Sequence, residues 1–232
     1  MVVLPACNEA PRVGAVVRDI RAQLPGVTVV VVENRCTDAT ADVARDAGAV
    51  VLRSDPGYAR ALRTGFIHAL RAGAPWIVQM DADGQHPAAS LPVLLRALER
   101  ADVVVGSRFV GRAGYPVPVA RLTGIHLLGA WASLWSGQRL RDVTSGFRAW
   151  RPDAVAAMVA DYPEEVADAN VLVRAVRRGL RVEEVAVAMC ERSGGTSMHA
   201  GPASLAFAAR MAVLTMREGL TPRALRVSDE RA

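Results

Sequence analysis

The stretch "VTVVVVENRCTDAT", residues 27–40, decides the fold class, because it leads an apolar strand through a polar turn directly into a helix. Four consecutive valines are typical of a strand buried on both faces, since a half-exposed strand would alternate apolar and polar residues. The Thr-Asp pair after the turn is typical of a helix start. The stretch predicts a β-α unit with polar side chains at the carboxyl end of the strand, where open α/β sheets bind ligands.

The same alternation extends through the first half of the chain. Apolar runs at residues 2–6, 49–54, 76–83 and 102–109 predict further strands, and helices are expected near residues 11–23, 38–47, 58–72 and 88–100. This spacing predicts an α/β fold in which a mostly parallel, Rossmann-like sheet is flanked by helices. A dehydrogenase is excluded, because no glycine-rich Gly-x-Gly-x-x-Gly turn follows the first strand.

The second half has a different pattern. Residues 121–137 are apolar with two tryptophans, and "RLRDVTSGFRAWRP", residues 139–152, is rich in turn residues. A helix near 166–178, a strand at 181–189 and an apolar helix near 203–218 are expected to follow. We expect a single domain over residues 1–220, with a change of character between its halves at 1–110 and 111–220, and a loose polar tail at 221–232.

Composition limits the classes of partner. The chain has 232 residues, and all 28 of its basic residues are arginine, which is typical of a GC-rich bacterial genome. A net charge of +5 with only 5% aromatic residues argues against nucleic acid and favours a small anionic ligand or an anionic membrane surface. The three cysteines lack the spacing of a zinc site. Without a signal peptide pattern or an apolar run of about 18 residues, we expect a cytoplasmic protein, in peripheral contact with the inner face of the membrane at most.

The segment "QMDADGQHP", residues 79–87, carries the clearest chemical signal. Asp81 and Asp83 follow a buried strand and flank one alanine, so a turn brings both carboxylates to one hard cation, with Gln85 as a third oxygen donor. Mg²⁺ or Mn²⁺ accepts such ligands while keeping positions for diphosphate oxygens. The alternative is a solvated turn, because an isolated Asp-x-Asp pair is common.

Seven ordered segments resemble the family 2 glycosyltransferases, and most closely their branch of dolichyl- and polyprenyl-phosphate sugar transferases. Besides the polar turn after the second strand, they are "VVLPACNEA", "GYARALRTGF", "DADGQHP", "DVVVGSRF", "DVTSGFRA" and "RSGGTS". The resemblance covers residues 2–215, and it implies that residues 1–110 are the nucleotide-sugar-binding half and residues 111–220 the acceptor-side half. It implies a GT-A fold, a nucleotide-diphosphate sugar as donor, a divalent metal at the Asp-x-Asp motif, and direct displacement with inversion.

The resemblance also implies a set of donor-binding residues. The family lines its nucleoside pocket with a Pro-x-Tyr-x-Glu motif, and cysteine replaces the tyrosine here. After the second strand the family has Asp-Asp-Gly-Ser-x-Asp, whereas this chain has Glu-Asn-Arg-Cys-Thr-Asp. Arginine adopts positive φ poorly, so the backbone conformation of the turn at Arg35 is open at this point. The expected donor-binding residues are Pro5, Cys7, Glu9, Glu33, Asn34, Asp38, Arg63, Asp81, Ala82 and Arg108. For Arg63, packing of a helix start is the alternative.

On the acceptor side, the resemblance implies phosphate contacts and the reacting groups. The expected acceptor- or phosphate-binding residues are Arg121, Ser145, Arg192 and Ser197, and the expected catalytic residues are Asp83, Asp142, Asp168 and Arg192. Guanidinium groups suit phosphate oxygens and the charge on a departing diphosphate. Asp142 is expected to organise its loop through Thr144 and Ser145.

Two features keep alternatives open. Asp168 is either a general base for a hydroxyl acceptor, a group that positions the acceptor, or simply the cap of the helix near 169–178. Residues 121–137 form either a buried helix face or an interfacial helix beside a lipid acceptor. His86 is expected to orient the metal loop rather than to act as a base.

The sequence therefore predicts a metal-dependent inverting glycosyltransferase that moves a sugar from a nucleotide-diphosphate sugar to a polyprenyl phosphate. The first alternative is a soluble secondary-metabolite transferase acting on a hydroxyl of a nucleoside- or aminoglycoside-like acceptor. The second is a catalytically silent relative that binds nucleotide, which the altered turn at residues 33–36 would favour.

Overall fold

The computed structural model describes residues 1–111, 119–190 and 203–222, without the side chains of 119–121 and 203–205. The strands are β1 (Val2–Ala6), β2 (Val29–Glu33), β3 (Val50–Arg53), β4 (Ile77–Gln79), β5 (Val103–Ser107), β6 (Arg148–Trp150) and β7 (Val182–Ala186). The helices are α1 (Ala10–Gln23), α2 (Thr40–Asp46), α3 (Tyr58–Arg71), α4 (Leu91–Ala97), α5 (Val119–Ser136), α6 (Pro152–Val159), α7 (Ala169–Arg177) and α8 (Ala203–Gly219). A 3-10 turn, Ala88–Ser90, precedes α4.

The seven strands form one sheet in the order β3-β2-β1-β4-β6-β5-β7. β6 runs antiparallel to both β4 and β5, and the other neighbours are parallel. Side chains that alternate along β1 enter two separate cores, with Val3 in one and Val2 and Leu4 in the other. The predicted doubly covered, mostly parallel sheet is therefore confirmed.

Two elements were not predicted, namely β6 and α6, both within or beside the segment interpreted as turn-rich. β6 has only three residues and begins with Arg148, which is fully buried. A short strand with a buried charge has no apolar pattern that a sequence could reveal. Its insertion between β4 and β5 places Gly146 and Phe147 beside the turn that follows β4.

The apolar segment at 121–137 forms α5, which packs on α8 and also exposes apolar side chains, so its role as an interfacial helix stays a prediction. Trp131 donates a hydrogen bond from Nε1 to the carbonyl of Ala212 at 2.9 Å, which joins α5 to α8. Leu127 and Leu134, which lie four residues before and three residues after Trp131 and so share its side of the helix, are 68% and 71% exposed. Within the described parts of the chain, none of the helices has the length and apolar character needed to cross a membrane.

Candidate functional site

The candidate active site lies at the carboxyl edge of the sheet, where the turn after β4 meets the start of α3. Asp81 is 34% exposed at its side chain, and its Oδ1 accepts a hydrogen bond of 2.9 Å from the hydroxyl of Tyr58. The backbone N–H of Asp81 donates to Nδ1 of His86 at 3.0 Å. The His86 ring stacks on Phe147 with 5.0 Å between ring centroids. These contacts hold the Asp81 carboxylate in one orientation at the mouth of the site, and they agree with a loop-orienting role for His86.

Asp83 closes the same turn from the inside. Its side chain is buried, and Oδ1 accepts a hydrogen bond from the backbone N–H of Gln85 at 3.0 Å. Gly84 between them has φ of 81°, a conformation that glycine adopts without strain. The Asp81 carboxylate is thus partly exposed to solvent, whereas the Asp83 carboxylate is buried and hydrogen-bonded within the turn.

The chemistry of this turn fits a divalent metal bound together with a diphosphate. Two carboxylates supply hard oxygen ligands, and a metal such as Mg²⁺ takes its remaining ligands from phosphate oxygens and water. Among the described residues, no group of three or more His, Cys, Asp or Glu side chains forms an all-protein metal cage. An Asp-x-Asp pair is therefore a suitable ligand set for a metal that arrives with its substrate.

Gly146 faces the Asp81 carboxylate from the loop before β6. A Cβ atom at this position would lie 3.0 and 3.1 Å from the two carboxylate oxygens of Asp81 and 2.9 Å from the Tyr58 hydroxyl. These separations are shorter than ordinary van der Waals contacts. Only glycine leaves Asp81 and Tyr58 in their observed positions.

Asp168, at the N-terminus of α7, interacts electrostatically with Asp81. It occupies the N-cap position, yet its side chain makes no capping hydrogen bond, so the interpretation of Asp168 as a simple helix cap is wrong. Instead, Asn170 Oδ1 accepts from the Asp168 backbone N–H at 3.0 Å. Burial raises the pKa of Asp168 to about 6, with a smaller contribution from Asp81 and opposing contributions from Arg148 and Arg108.

Arg148 supports this region from within the sheet. Its Nε donates to the Ser145 carbonyl at 2.9 Å, and its Nη2 donates to the carbonyls of Val143 and Asp168, both at 3.2 Å. The guanidinium is fully buried, and its Nη1 has no hydrogen-bond partner within the described residues. Arg148 therefore connects the loop before β6 to the start of α7. Its positive charge opposes the rise in the pKa values of Asp168 and Tyr58 that burial causes.

A second buried arginine, Arg108, directly follows β5. Arg108 donates from Nε and Nη2 to the two carboxylate oxygens of Asp142, at 2.8 and 2.6 Å, and from Nη2 to Thr144 Oγ1 at 2.7 Å. Glu184 accepts from the backbone N–H groups of Arg141 and Asp142, and burial raises the pKa of Glu184. The Arg108–Asp142 pair is thus the centre of a structural network that shapes the loop.

In the turn after β2, Asn34 forms hydrogen bonds with the loop between β3 and α3. Its Nδ2 donates to the carbonyls of Gly57 and Asp55 at 2.7 and 3.1 Å and to Ser54 Oγ at 3.2 Å, and its Oδ1 accepts from the Gly57 N–H at 3.2 Å. Because Gly57 immediately precedes Tyr58, Asn34 connects the turn after β2 to the residue that contacts Asp81.

The matching family model is described as glycosyl transferase family 2 and covers residues 1–136. The chain belongs to glycosyl transferase family 2. It is 31% identical over 212 residues to an undecaprenyl-phosphate mannosyltransferase of Micrococcus luteus, with 87% of each protein covered. It is 29% identical over 214 residues to a polyprenol monophosphomannose synthase of Mycolicibacterium smegmatis, covering 87% of this chain and 81% of that protein.

The fold of this glycosyltransferase is the GT-A fold. A crystal structure of glucosyl-3-phosphoglycerate synthase from Mycobacterium tuberculosis, in complex with Mn²⁺, uridine diphosphate and phosphoglyceric acid, superposes with a TM-score of 0.69. The alignment covers 95% of this chain and 78% of that one at 19% identity. Because the named relatives are glycosyltransferases, the prediction of a glycosyltransferase enzyme is confirmed.

Several expected donor-binding residues of the glycosyltransferase make hydrogen bonds within the protein, and their contacts with a donor stay predictions. The Nδ2 group of Asn34 donates only to neighbouring loop atoms among the bonds described above, so Asn34 positions that loop. Asp38 accepts from the N–H groups of Thr40 and Ala10 at 3.0 and 3.1 Å, which joins the starts of α2 and α1. Although desolvation opposes it, hydrogen bonding lowers the pKa of Asp38. Arg63 donates to the Val159 carbonyl at 3.0 Å, which favours its packing alternative.

Three further expected residues also make contacts within the protein. Ser145 is buried, and its hydroxyl donates to the Gly106 carbonyl at 2.6 Å. Asp142 is fully buried in its pair with Arg108, which agrees with the expected organisation of the loop by Asp142. Phosphate contacts of Ser145 and Arg108 and a catalytic role of Asp142 stay predictions.

The remaining expected residues that the structure describes lie at or near the carboxyl edge of the sheet, and their roles stay predictions. Pro5 and Ala82 are buried at the ends of β1 and the β4 turn, while Glu9 and Glu33 form ion pairs with Arg12 at 2.7 Å and Arg53 at 3.2 Å. Cys7 is exposed at the same edge. Arg192, Ser197 and the side chain of Arg121 lie outside the described residues, and so their roles stay predictions.

Sequence reasoning missed Tyr58, Gly146 and Arg148 as site residues. Tyr58 and Gly146 lie inside the segments "GYARALRTGF" and "DVTSGFRA", which carried the resemblance, but neither residue type signals chemistry by itself. Arg148 gave no signal that distinguishes it from the other arginines. Their importance follows from contacts between distant parts of the chain.

Proposed function

We propose that this glycosyltransferase transfers a sugar, with inversion, from a nucleotide-diphosphate sugar to a polyprenyl phosphate. The observation that carries the proposal is the Asp81 carboxylate, held by Tyr58 at the sheet edge and faced by Gly146 and the start of α7. Relatives named for undecaprenyl-phosphate and polyprenol phosphate products support the choice of acceptor.

On the donor side of the reaction, Asp81 and Asp83 are the residues that would bind the metal. These two carboxylates would hold Mg²⁺ or Mn²⁺, which, when bound, neutralises charge on the diphosphate as it departs. Tyr58 keeps Asp81 oriented without competing for protons, because burial, together with the charges of Asp81 and Asp168, raises the pKa of Tyr58 well above its usual range. Gly146 leaves room beside the same carboxylate.

At the acceptor end, a phosphate needs little help from the protein to become a nucleophile. A phosphate monoester has a second pKa of about 6 and is largely ionised near neutrality. Asp168 would then act on the acceptor as a positioning group, held by Asn170 and by Arg148 through its backbone. Inversion requires the nucleophile to attack opposite the diphosphate, so a fixed acceptor position would account for much of the rate.

A hydroxyl acceptor is the second candidate, and one observation favours it. Asp168 has no capping hydrogen bond, and its pKa of about 6 suits a general base near neutral pH. A sugar, nucleoside or aminoglycoside hydroxyl needs such a base. The two candidates therefore differ in what they require of one carboxylate.

A polyprenyl acceptor also requires contact with a membrane, for which α5 and α8 offer a surface. The exposed large apolar side chains of these helices are Leu127, Leu134 and Val213, and Leu220 follows α8. Exposed positions on α5 between Thr123 and Leu134 carry no charge, whereas Arg210 and Arg217 flank the apolar residues on α8. An apolar surface beside arginines suits peripheral binding to anionic lipid.

The test is transfer by the purified protein. UDP- and GDP-sugars would be supplied with Mn²⁺ or Mg²⁺ and either a polyprenyl phosphate in detergent or a panel of hydroxyl acceptors. Product on the polyprenyl phosphate, lost in chelator and in the Asp81→Asn variant, is the expected result. Transfer to hydroxyl acceptors alone would select the second candidate, and turnover that survives chelation would contradict the metal assignment.

A further inference from the structure

Two cysteines lie together at the edge of the sheet where the donor is expected to bind. β1 and β2 pair in parallel with Ala6 opposite Glu33, so the loops that begin at Cys7 and Asn34 leave the sheet side by side. Arg35 then adopts φ of 55°, and Cys36 turns back toward the end of β1. Cys7 is exposed and Cys36 is partly exposed.

Hydrogen bonds fix the position of the Cys36 sulfur. Sγ accepts from the backbone N–H of Asn8 at 3.3 Å and donates to the carbonyl of Ala6 at 3.4 Å. These two atoms belong to the peptide groups on either side of Cys7. Adding the intervening covalent bonds places the sulfur within about 6 Å of the Cys7 α-carbon. Disulfides join cysteines whose α-carbons are about 4.4–6.8 Å apart, so the bond can close after rotation of the Cys7 side chain and a small approach of the two loops.

We propose that Cys7 and Cys36 are a reversible redox pair, which a hydroperoxide oxidises to a disulfide that weakens nucleotide binding. With hydrogen peroxide, two S–H bonds and the O–O bond break, one S–S bond forms, and the two electrons lost by the sulfurs reduce the peroxide to two water molecules. A thiol reductant reverses the reaction by exchange. The effect on binding rests on the proposed function, whereas formation of the disulfide does not.

The consequence for the site follows from what the bond would join. Oxidation removes the proton that Cys36 donates to Ala6 and links the loops after β1 and β2. The expected nucleoside-binding residues lie in and beside these loops, with Glu9 in the first loop and Glu33 at the end of β2. The side chain of Cys7, which occupies the tyrosine position of the family motif, would be drawn onto Cys36. A pocket fixed in this way would bind nucleotide less well.

The chemistry also predicts a pH dependence for the oxidation. Desolvation raises the pKa of Cys7, and Cys36 raises it further, while Arg35 lowers it. The thiolate is the reactive form, so the disulfide should form faster as pH increases above neutrality. Cys190, the third cysteine, is exposed and donates its backbone N–H to the Gln85 carbonyl, which makes it the natural competitor.

The first measurement is the cross-link itself. Reduced full-length protein is treated with hydrogen peroxide, remaining thiols are alkylated, and intact mass and peptide mapping locate any disulfide. We expect a link between the peptides of Cys7 and Cys36 in the parent and in Cys190→Ser, and none in Cys36→Ser, with Cys7→Ser as the second variant should that one fold poorly. No link, or a link that requires Cys190, would overturn the proposal.

The second measurement is binding of UDP and of GDP, each with Mn²⁺, by calorimetry to the reduced, oxidised and re-reduced protein. We expect at least tenfold weaker binding after oxidation, recovered with dithiothreitol. A disulfide without this loss would overturn the proposed effect on binding. If the reduced protein binds neither nucleotide, the proposed function fails while the cross-link result still decides whether the redox pair exists.

Discussion

The hydroxyl of Tyr58 donates a hydrogen bond of 2.9 Å to Oδ1 of Asp81, and this bond connects the start of α3 to the Asp-x-Asp turn after β4. Asn34 holds the residue before Tyr58 through two hydrogen bonds to Gly57. The orientation of the exposed carboxylate is thus controlled from the turn after β2. The turn after β2 and the Asp-x-Asp turn after β4 are therefore connected through Asn34, Gly57 and Tyr58.

Replacing Tyr58 with phenylalanine should impair turnover while leaving the fold intact. A hydrogen bond to a charged group contributes about 1.5–3 kcal/mol, so turnover at limiting Mn²⁺ should fall by about ten- to a hundredfold. The matched control is Tyr162→Phe, because the buried Tyr162 hydroxyl has no partner among the described residues. Steady-state kinetics across a Mn²⁺ titration checks the prediction, and equal behaviour of the two variants would contradict it.

Adding one methyl group at Gly146 should displace Asp81. The new Cβ would meet the Asp81 carboxylate and the Tyr58 hydroxyl, which are ends of side chains and can move at little cost to folding. We expect Gly146→Ala to lose at least tenfold in turnover with a melting temperature close to that of the parent. Gly124→Ala is the control, since a Cβ there meets nothing within 4 Å. Parent-like kinetics for Gly146→Ala would show that Asp81 does not need its observed position.

Asp168→Asn decides the class of acceptor. With a polyprenyl phosphate that is already ionised, we expect less than a tenfold loss of turnover and an unchanged pH profile. A general base contributes about 10² to 10⁴ in rate, so a hydroxyl acceptor would make the loss at least a hundredfold and remove the acid-side pKa. Turnover against pH with each acceptor separates the two outcomes, and the larger loss would favour the hydroxyl candidate.

The same substitution should change how stability depends on pH. The folded-state pKa of Asp168, about 6, exceeds its usual value of 3.8, so the native state binds the proton more tightly. Stability of the parent therefore falls as pH rises from about 4 to about 6, and Asp168→Asn removes this loss. The gain in unfolding free energy of the variant over the parent should therefore be larger at pH 7 than at pH 4, by about 2–2.5 kcal/mol. Urea unfolding at both pH values tests this, and a difference independent of pH would contradict it.

Arg35→Gly should stabilise the protein. Arg35 has φ of 55°, a left-handed conformation that costs a non-glycine residue about 1–2 kcal/mol. Glycine relieves this strain but gains entropy when unfolded, so the expected net gain is about 0.5–1 kcal/mol. Asn8→Gly is the contrasting variant: Asn8 has φ of 56°, but its Oδ1 accepts from the Thr37 N–H at 2.8 Å, and so its loss should destabilise. Urea unfolding of both variants checks the signs, and a less stable Arg35→Gly would show that the turn depends on the arginine side chain.

The sequence by itself determined the α/β class, the order of most strands and helices, and the location of the Asp-x-Asp turn. Uninterrupted valine runs can only be accommodated by strands covered on both faces, and periodicity is a local property that the chain carries without its fold. The positive φ at Arg35 shows the limit of the same reasoning. The family's glycine position keeps a left-handed backbone here even though arginine occupies it, because hydrogen bonds at Asn34 and Cys36 hold the turn on both sides.

Only the tertiary structure decided what the polar residues around the site contact. Asn34, Asp142 and Ser145 are plausible ligands by type and motif, and each also forms hydrogen bonds with a neighbouring loop or arginine. Tyr58 and Gly146 gained their place because a three-residue antiparallel strand brings residue 146 beside residue 81. Such contacts join positions that are far apart in the chain, so their energies depend on packing and burial that no local pattern encodes.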